Sequence, residues 1–260
     1  MTPLELLGLI AVFAIVRVAI SFRKEPVAAG GGGDITVGEY AGTAPRAATP
    51  TARQVVREYL DAFIVAGLVA LFLITFVVRT FYIPSGSMIP TLQVRDILLV
   101  NEFEYRFTKP HDEDIVVFDP PVPTANDFIK RVMGVPGDTL RVHKGVVYRN
   151  GVALKEPYIN DAPDYELEIK NYTIYVNGTP LDPTYANVPP RSAWTAPDRI
   201  PPGCYMMFGD NRNDSEDSHI WGFAQTGGRF ATGQRKGEKA SFTGHAFLLF
   251  FPLNRIRILR

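Results

Sequence analysis

The chain has 260 residues, 46% of them hydrophobic, which suffices for one large or two small packed domains and excludes a disordered tail. Its 27 Lys and Arg balance 27 Asp and Glu without any basic block, which excludes a dedicated nucleic-acid binder. Cys204 is the sole cysteine and the four histidines, His111, His143, His219 and His245, lack ligand spacing, so no disulfide framework, metal site or cofactor is expected.

Two nearly uninterrupted apolar runs, residues 4–22 and 62–78, come first. Each approaches the roughly 20 residues that cross a hydrocarbon core about 30 Å thick, and they predict transmembrane helices over 1–22 and 59–79. Glu5 and Arg17 lie near the ends of the first run, where side chains reach water or headgroups. Asp61 and Arg79 bracket the second. Val27-Ala28-Ala29 offers a signal-peptide cleavage position, but Arg23 and Lys24 follow the first run instead of preceding it, which favours a retained anchor. Arg23, Lys24, Arg46, Arg53 and Arg57 lie between the runs, so the positive-inside rule places residues 23–58 in the cytoplasm and everything beyond Arg79 outside. That linker, with Gly30-Gly31-Gly32-Gly33, is too poor in large apolar residues to order itself and reads as flexible.

The remainder is rich in Val, Ile, Tyr and Phe in short runs between turn signals, and predicts a mostly β domain outside the membrane. The expected strands are 114–118, 127–133, 139–142, 146–148, 173–176, 204–208 and 246–251. Asn150-Gly151 and Asn177-Gly178 each close a Tyr-containing strand and mark tight hairpins. They suggest a hairpin-rich insertion, 141–196, within a β-rich core formed by 80–140 and 197–260.

Three blocks carry chemistry. In Ile83-Pro84-Ser85-Gly86-Ser87-Met88-Ile89-Pro90-Thr91-Leu92 two prolines fix φ and Gly86 permits a tight path, so Ser85 and Ser87 can face one spot. By itself the block also reads as an ordinary Ser/Gly loop, and Ile89 excludes the G-x-S-x-G elbow. In the second block, 128–138, strand alternation puts Lys130 on the face of Val132, either desolvated or as an edge-strand lysine facing water. The third, 207–222, supplies Asx, Ser and acidic side chains that could cap a turn or serve a neighbouring site.

Together and in this order, P-S-G-S-M-x-P-T-L at 84–92, Asp96-Ile97-Leu98-Leu99-Val100-Asn101, K-R-x-x-G-x-P-G-D at 130–138 and G-D-N-R-x-x-S-x-D-S at 209–218 resemble bacterial type I signal peptidase, the membrane-bound serine protease that removes signal peptides. Gly244-His245-Ala246 and Phe251-Pro252-Leu253-Asn254-Arg255-Ile256 extend the resemblance. It implies a Ser/Lys dyad, with Ser87 the nucleophile and Lys130 its general base. It also implies an oxyanion hole from the Ser87 N–H and the Ser85 hydroxyl, a base-orienting Ser215, and Asp210 as partner of Arg131. Asp217 is a further support residue. Ile83, Pro84, Met88 and Ile129 correspond to shallow pockets for small side chains, as in Ala-x-Ala sites. The implied partners are preprotein signal peptides, membrane lipid and the export machinery, and the implied place is the bacterial cytoplasmic membrane, crossed twice, with the catalytic domain on the periplasmic or outer face.

Two positions depart from the family pattern. His219 stands where the family commonly has the Arg that pairs with Asp217, and Arg95 stands where it usually has Gly. A basic role for Lys130 makes a physical demand: lowering its pKa from about 10.4 to about 8 takes roughly 3 kcal/mol of desolvation. Ile129, Val132 and Met88 are the neighbours expected to supply it. Two other readings compete, a Ser/Lys peptidase of the self-cleaving repressor type and a non-enzymatic membrane-anchored binding module. The anchors and the absence of a basic recognition domain disfavour the first, and three coincident motifs disfavour the second.

Overall fold

In the computed structural model, which describes residues 3–22, 51–76 and 78–259, both N-terminal apolar runs are helical: α1 spans Pro3–Phe22 and α2 spans Ala52–Phe76. A reciprocal cap starts α2. The Thr51 hydroxyl accepts from the Gln54 N–H at 3.4 Å, and the Gln54 side chain accepts from the Thr51 N–H at 2.8 Å. The helix therefore begins seven residues earlier than the apolar pattern predicts, and residues 52–58 belong to it and not to the linker. Residues 23–50 of the expected linker lie outside the described residues.

The contacts Ile10 with Gly67, Phe13 with Phe63 and Arg17 with Asp61 run in opposite order along the two helices, which makes the pair antiparallel. Gly67 permits the close approach, since a Cβ there would lie 2.8 Å from Ile10 Cγ1. Arg17 also ties the two helices together. Its guanidinium pairs with Asp61, Nε to Oδ1 at 2.7 Å, so each charge offsets the other. Among the described residues, no helix is long and apolar enough to cross a membrane.

The second unit, Val77–Arg260, is mostly β, as the composition predicts. Its strands in chain order are β1 (Val78–Tyr82), β2 (Ile97–Asn101), β3 (Ile115–Phe118), β4 (Phe128–Gly134), β5 (Leu140–His143), β6 (Val146–Arg149) and β7 (Val152–Ala153). There follow β8 (Leu167–Lys170), β9 (Thr173–Val176), β10 (Thr179–Pro180), β11 (Cys204–Phe208), β12 (Ala224–Gln225), β13 (Phe242–Phe251) and β14 (Arg257–Ile258). A one-turn helix, α3, covers Ser218–Trp221. All seven expected strands are present, and β13 begins four residues before its predicted start. Val78 and Arg79, read as the end of the second membrane run, instead pair with Asn101 and Val100 in β1.

One sheet is ordered β1-β2-β13-β3-β4-β11-β12, with β14 on β13. β3 is buried along its whole length because both faces are covered: Ile115 and Val117 join one core, with Met88, Leu92 and Leu98, while Val116 and Phe118 join another, with Val132 and Met207. Gly244 lets β13 cross β2, since a Cβ there would sit 2.4 Å from the Asn101 carbonyl oxygen.

The second sheet, β10-β9-β8-β5-β6-β7, spans residues 140–180, nearly all of it inside the segment expected as an insertion. Asn150-Gly151 and Asn177-Gly178 adopt positive φ at both positions and close two-residue hairpins. Lys144-Gly145 and Asn171-Tyr172 do the same between β5 and β6 and between β8 and β9. Leu140, Val142, Leu167 and Ile174 of this sheet share a core with Met133, Met206 and Phe208 of the first, so the insertion is packed against the strands that carry the second and third blocks.

Candidate active site

The serine block leaves β1 as a loop closed at its base, where the Ile83 N–H donates to the Asp96 carbonyl and the Arg95 N–H to the Ile83 carbonyl, both at 2.9 Å. Arg255 completes the closure by pairing with both Asp96 carboxylate oxygens at 3.1 and 3.0 Å, which gives the C-terminal block its structural meaning. Arg95 takes φ 79°, the left-handed conformation in which the family's usual glycine carries no steric cost. Ile83 and Met88 point into the core and are 2% and 0% exposed. The hydrophobic effect uses them to anchor the loop, and Pro84 and Ile129 line the cleft.

The third block clamps the same loop. The Asn211 backbone N–H donates to the Ser87 carbonyl at 3.0 Å and its side-chain amide to the Gly86 carbonyl at 3.1 Å. Gly209 abuts both: a Cβ there would fall 2.2 Å from Ser215 Oγ and 2.4 Å from the Ser87 carbonyl oxygen. Sequence reasoning passed over Gly209 and Asn211, although a Gly-Asp-Asn run inside a motif is the signal for a close backbone approach.

Lys130 enters from β4. Its Nζ donates to Ser87 Oγ at 2.8 Å, and Ser85 Oγ lies 3.5 Å from Ser87 Oγ. Lys130 is 4% exposed, so it is not an edge-strand lysine facing water. Burial depresses its pKa from 10.5 to about 8, against the opposing pull of the Asp217, Glu216 and Asp210 carboxylates. The Phe128 ring, centred 5.3 Å from Nζ, is a further neighbour the sequence did not single out. A cleft of about 540 Å³ opens over the pair, lined by Pro84, Ser85, Ser87, Ile129, Lys130 and Ser215 together with the acidic and amide side chains of its rim.

Arg131 and Asp210 are buried and form a two-point ion pair, at 2.9 and 2.7 Å. This joins the residue next to Lys130 to the residue next to Gly209. The Ser215 hydroxyl is buried beside Gly209 without a hydrogen-bond partner, so it does not hold Lys130 in this structure. Asp217, fully buried, accepts from the Gly209 N–H at 2.9 Å and from His219 Nδ1 at 2.7 Å. His219 thus supplies the donor that the missing arginine would.

Residues 56–231 match the family described as Signal peptidase, peptidase S26. The chain belongs to that family. Among its relatives are a probable signal peptidase I-1 of Synechocystis sp., 35% identical over 79% of this chain and 88% of that protein, and a signal peptidase I of Leptolyngbya laminosa, 34% identical over 82% and 88%. A signal peptidase I of Pseudomonas aeruginosa is 35% identical over 63% of this chain and 62% of its own length. The resemblance drawn from the motif blocks is borne out. The chain is a serine protease of the signal peptidase class, which sets aside both the repressor-type peptidase and the non-enzymatic module.

Proposed function

We propose that this chain cuts signal peptides from exported preproteins with Ser87 as nucleophile and Lys130 as general base. The observation that carries the assignment is the 2.8 Å contact between Lys130 Nζ and Ser87 Oγ, made by a lysine that is 4% exposed. Neutral Lys130 takes the Ser87 proton as Oγ attacks the scissile carbonyl carbon, and the resulting ammonium protonates the departing amine. The Ser87 N–H and the Ser85 hydroxyl receive the oxyanion. Once Ser87 is acylated Lys130 loses its acceptor there, and the orphaned Ser215 hydroxyl is the group placed to take over while Lys130 activates water for deacylation. Pro84 and Ile129 form the shallow apolar floor that suits small residues before the cut, as in an Ala-x-Ala site.

Exported substrates need the site at a membrane. We read α1 and α2 as a two-pass anchor in a bacterial cytoplasmic membrane, with residues 23–50 inside and the catalytic unit on the outer or periplasmic face, beside the export machinery and in contact with lipid. The antiparallel pairing of the helices and the excess of Arg and Lys between them support it. In intact cells or spheroplasts, added protease is expected to spare residues 23–50 and to cut beyond Arg79; the reverse pattern contradicts this orientation.

The function itself is tested by incubating the purified full-length protein in detergent with a preprotein. Cleavage after a small residue at the signal-peptide junction is expected, and an untouched preprotein overturns the assignment. Ser85→Ala is expected to lower kcat by about 10²–10³, because one oxyanion donor remains. A change in KM alone contradicts that role.

A further inference from the structure

His219, the second residue of α3, makes two contacts at once. Its Nδ1 lies 2.7 Å from Asp217 Oδ1, and since a carboxylate only accepts, the proton sits on Nδ1. The ring face stacks on Tyr165, with centroids 4.3 Å apart and planes within 12°. Tyr165 comes from the insertion, between β7 and β8. It is 5% exposed, packs edge-on against Phe208 of β11, and its hydroxyl has no hydrogen-bond partner, so packing alone holds the ring. Beyond His219 the contacts continue: Asp217 Oδ2 holds the Gly209 N–H, and Gly209 lies against the Ser87 carbonyl and the Ser215 hydroxyl. An unbroken series of direct contacts therefore joins the insertion to the serine loop.

We propose that His219 is a positioning residue for the peptidase reaction, through which the insertion, by way of the Tyr165 ring, fixes Asp217 and Gly209 against the Ser87–Lys130 pair. This rests on the dyad reading above. The insertion, with its two-residue hairpins and a core shared with the first sheet, becomes part of the catalytic scaffold by this route.

The electrostatics give the proposal a readout that simple packing would not move. Asp217 is the largest of the carboxylate influences that favour the Lys130 ammonium. The His219 ring orients that carboxylate through one donor, whereas a guanidinium in its place carries a permanent charge that also compensates the carboxylate. The charged and titratable groups around His219 are Lys130, Asp127, Asp214 and Glu216 across the cleft, and Tyr165 with Arg212, Glu156 and Asp164 on the insertion side.

The test measures kcat and kcat/KM against pH for the full-length enzyme in detergent, with thermal melting as the control for folding. His219→Arg should stay active with the acidic limb displaced to lower pH by about half a unit, because charge compensation at Asp217 weakens its hold on the ammonium. His219→Leu should lower kcat by about tenfold and displace the limb upward, since Asp217 loses its ring donor. Tyr165→Leu should act in the same direction, and Tyr165→Phe, which keeps the ring, should rescue the wild-type profile. Wild-type kcat and an unmoved limb in both leucine variants overturn the proposal. If the leucine variants fail to fold, the His219→Arg profile decides: an unmoved limb overturns it and a downward one supports it. Activity surviving in Ser87→Ala would instead overturn the dyad reading, so the two failures are distinguishable.

Discussion

Replacing Ser87 by alanine is expected to reduce preprotein cleavage by about 10⁶-fold, the loss seen when a serine peptidase is deprived of its nucleophile, while the protein remains folded. The fold should survive because the bonds that close and clamp the loop use its backbone and other side chains. Asn211 binds the carbonyls of Ser87 and Gly86, Arg255 binds Asp96, and Met88 and Leu92 are sealed in the core. Removing Oγ leaves a small gap at the floor of an open cleft, where water replaces it. Mass spectrometry of the product N-terminus over hours, beside a melting curve, separates a dead folded enzyme from an unfolded one. Cleavage at the wild-type rate would mean that another group attacks the carbonyl.

Lys130→Arg should be equally inactive, and for a different reason. Guanidinium keeps the positive charge and much of the length of lysine, but it does not deprotonate in any accessible pH range. If Lys130 served only to attract or orient substrate by its charge, arginine would substitute well. Holding an ammonium in this site costs about 3 kcal/mol relative to an exposed lysine, and that cost makes the amine neutral near pH 8. An arginine there gains no such neutral form. It must either force water into the site or displace Ser87. Measurable activity in Lys130→Arg with the wild-type pH profile would demote Lys130 to a structural cation.

How much of this was legible in the chain depends on which physical signal each element carries. The strand at β3 and the one at β11 are continuous apolar runs bounded by turn residues, and they announce themselves. β8, Leu-Glu-Ile-Lys, buries only Leu167 and Ile169, and four residues of alternation are too few to distinguish from noise. β1 was hidden for another reason: Val78 and Arg79 extend an apolar helical run, and only pairing with β2 settles their conformation. Asn-Gly identified two hairpins, whereas Asn171-Tyr172 accepts positive φ without a glycine, a cost that local sequence does not reveal and tertiary packing must meet.

The site shows the same division. The roles of Ser87, Lys130, Arg131 and Asp210 were legible only through the resemblance of the three blocks to the family, and the fold brings the first two within 2.8 Å and pairs the other two. A motif records which residues recur near a site and not which way they point, so the burial of Ile83 and Met88 shows only in the fold. Gly209 and Asn211 act through backbone approach and carbonyl clamping, which no residue type announces on its own. His219 supplies one donor in place of an arginine fork, a role its chemistry allows from sequence, whereas the stacking of its ring on Tyr165 shows only in three dimensions.

The claim at the centre of the account is that Lys130 works as a neutral amine because burial lowers its pKa. The sign follows directly: a depressed lysine pKa means that the active, uncharged form accumulates as pH rises through that value. The measurement is the pH dependence of kcat/KM for cleavage of a fixed preprotein by the wild-type enzyme, from pH 5 to 11 at constant ionic strength. The account predicts an acidic limb of unit slope with its midpoint near 8, present in wild type and absent, with the activity, from Lys130→Arg. A limb near 6.5 that persists when Lys130 is replaced would assign the base to a histidine, and a midpoint near 10.5 would show an amine that the site does not desolvate; either result contradicts the mechanism.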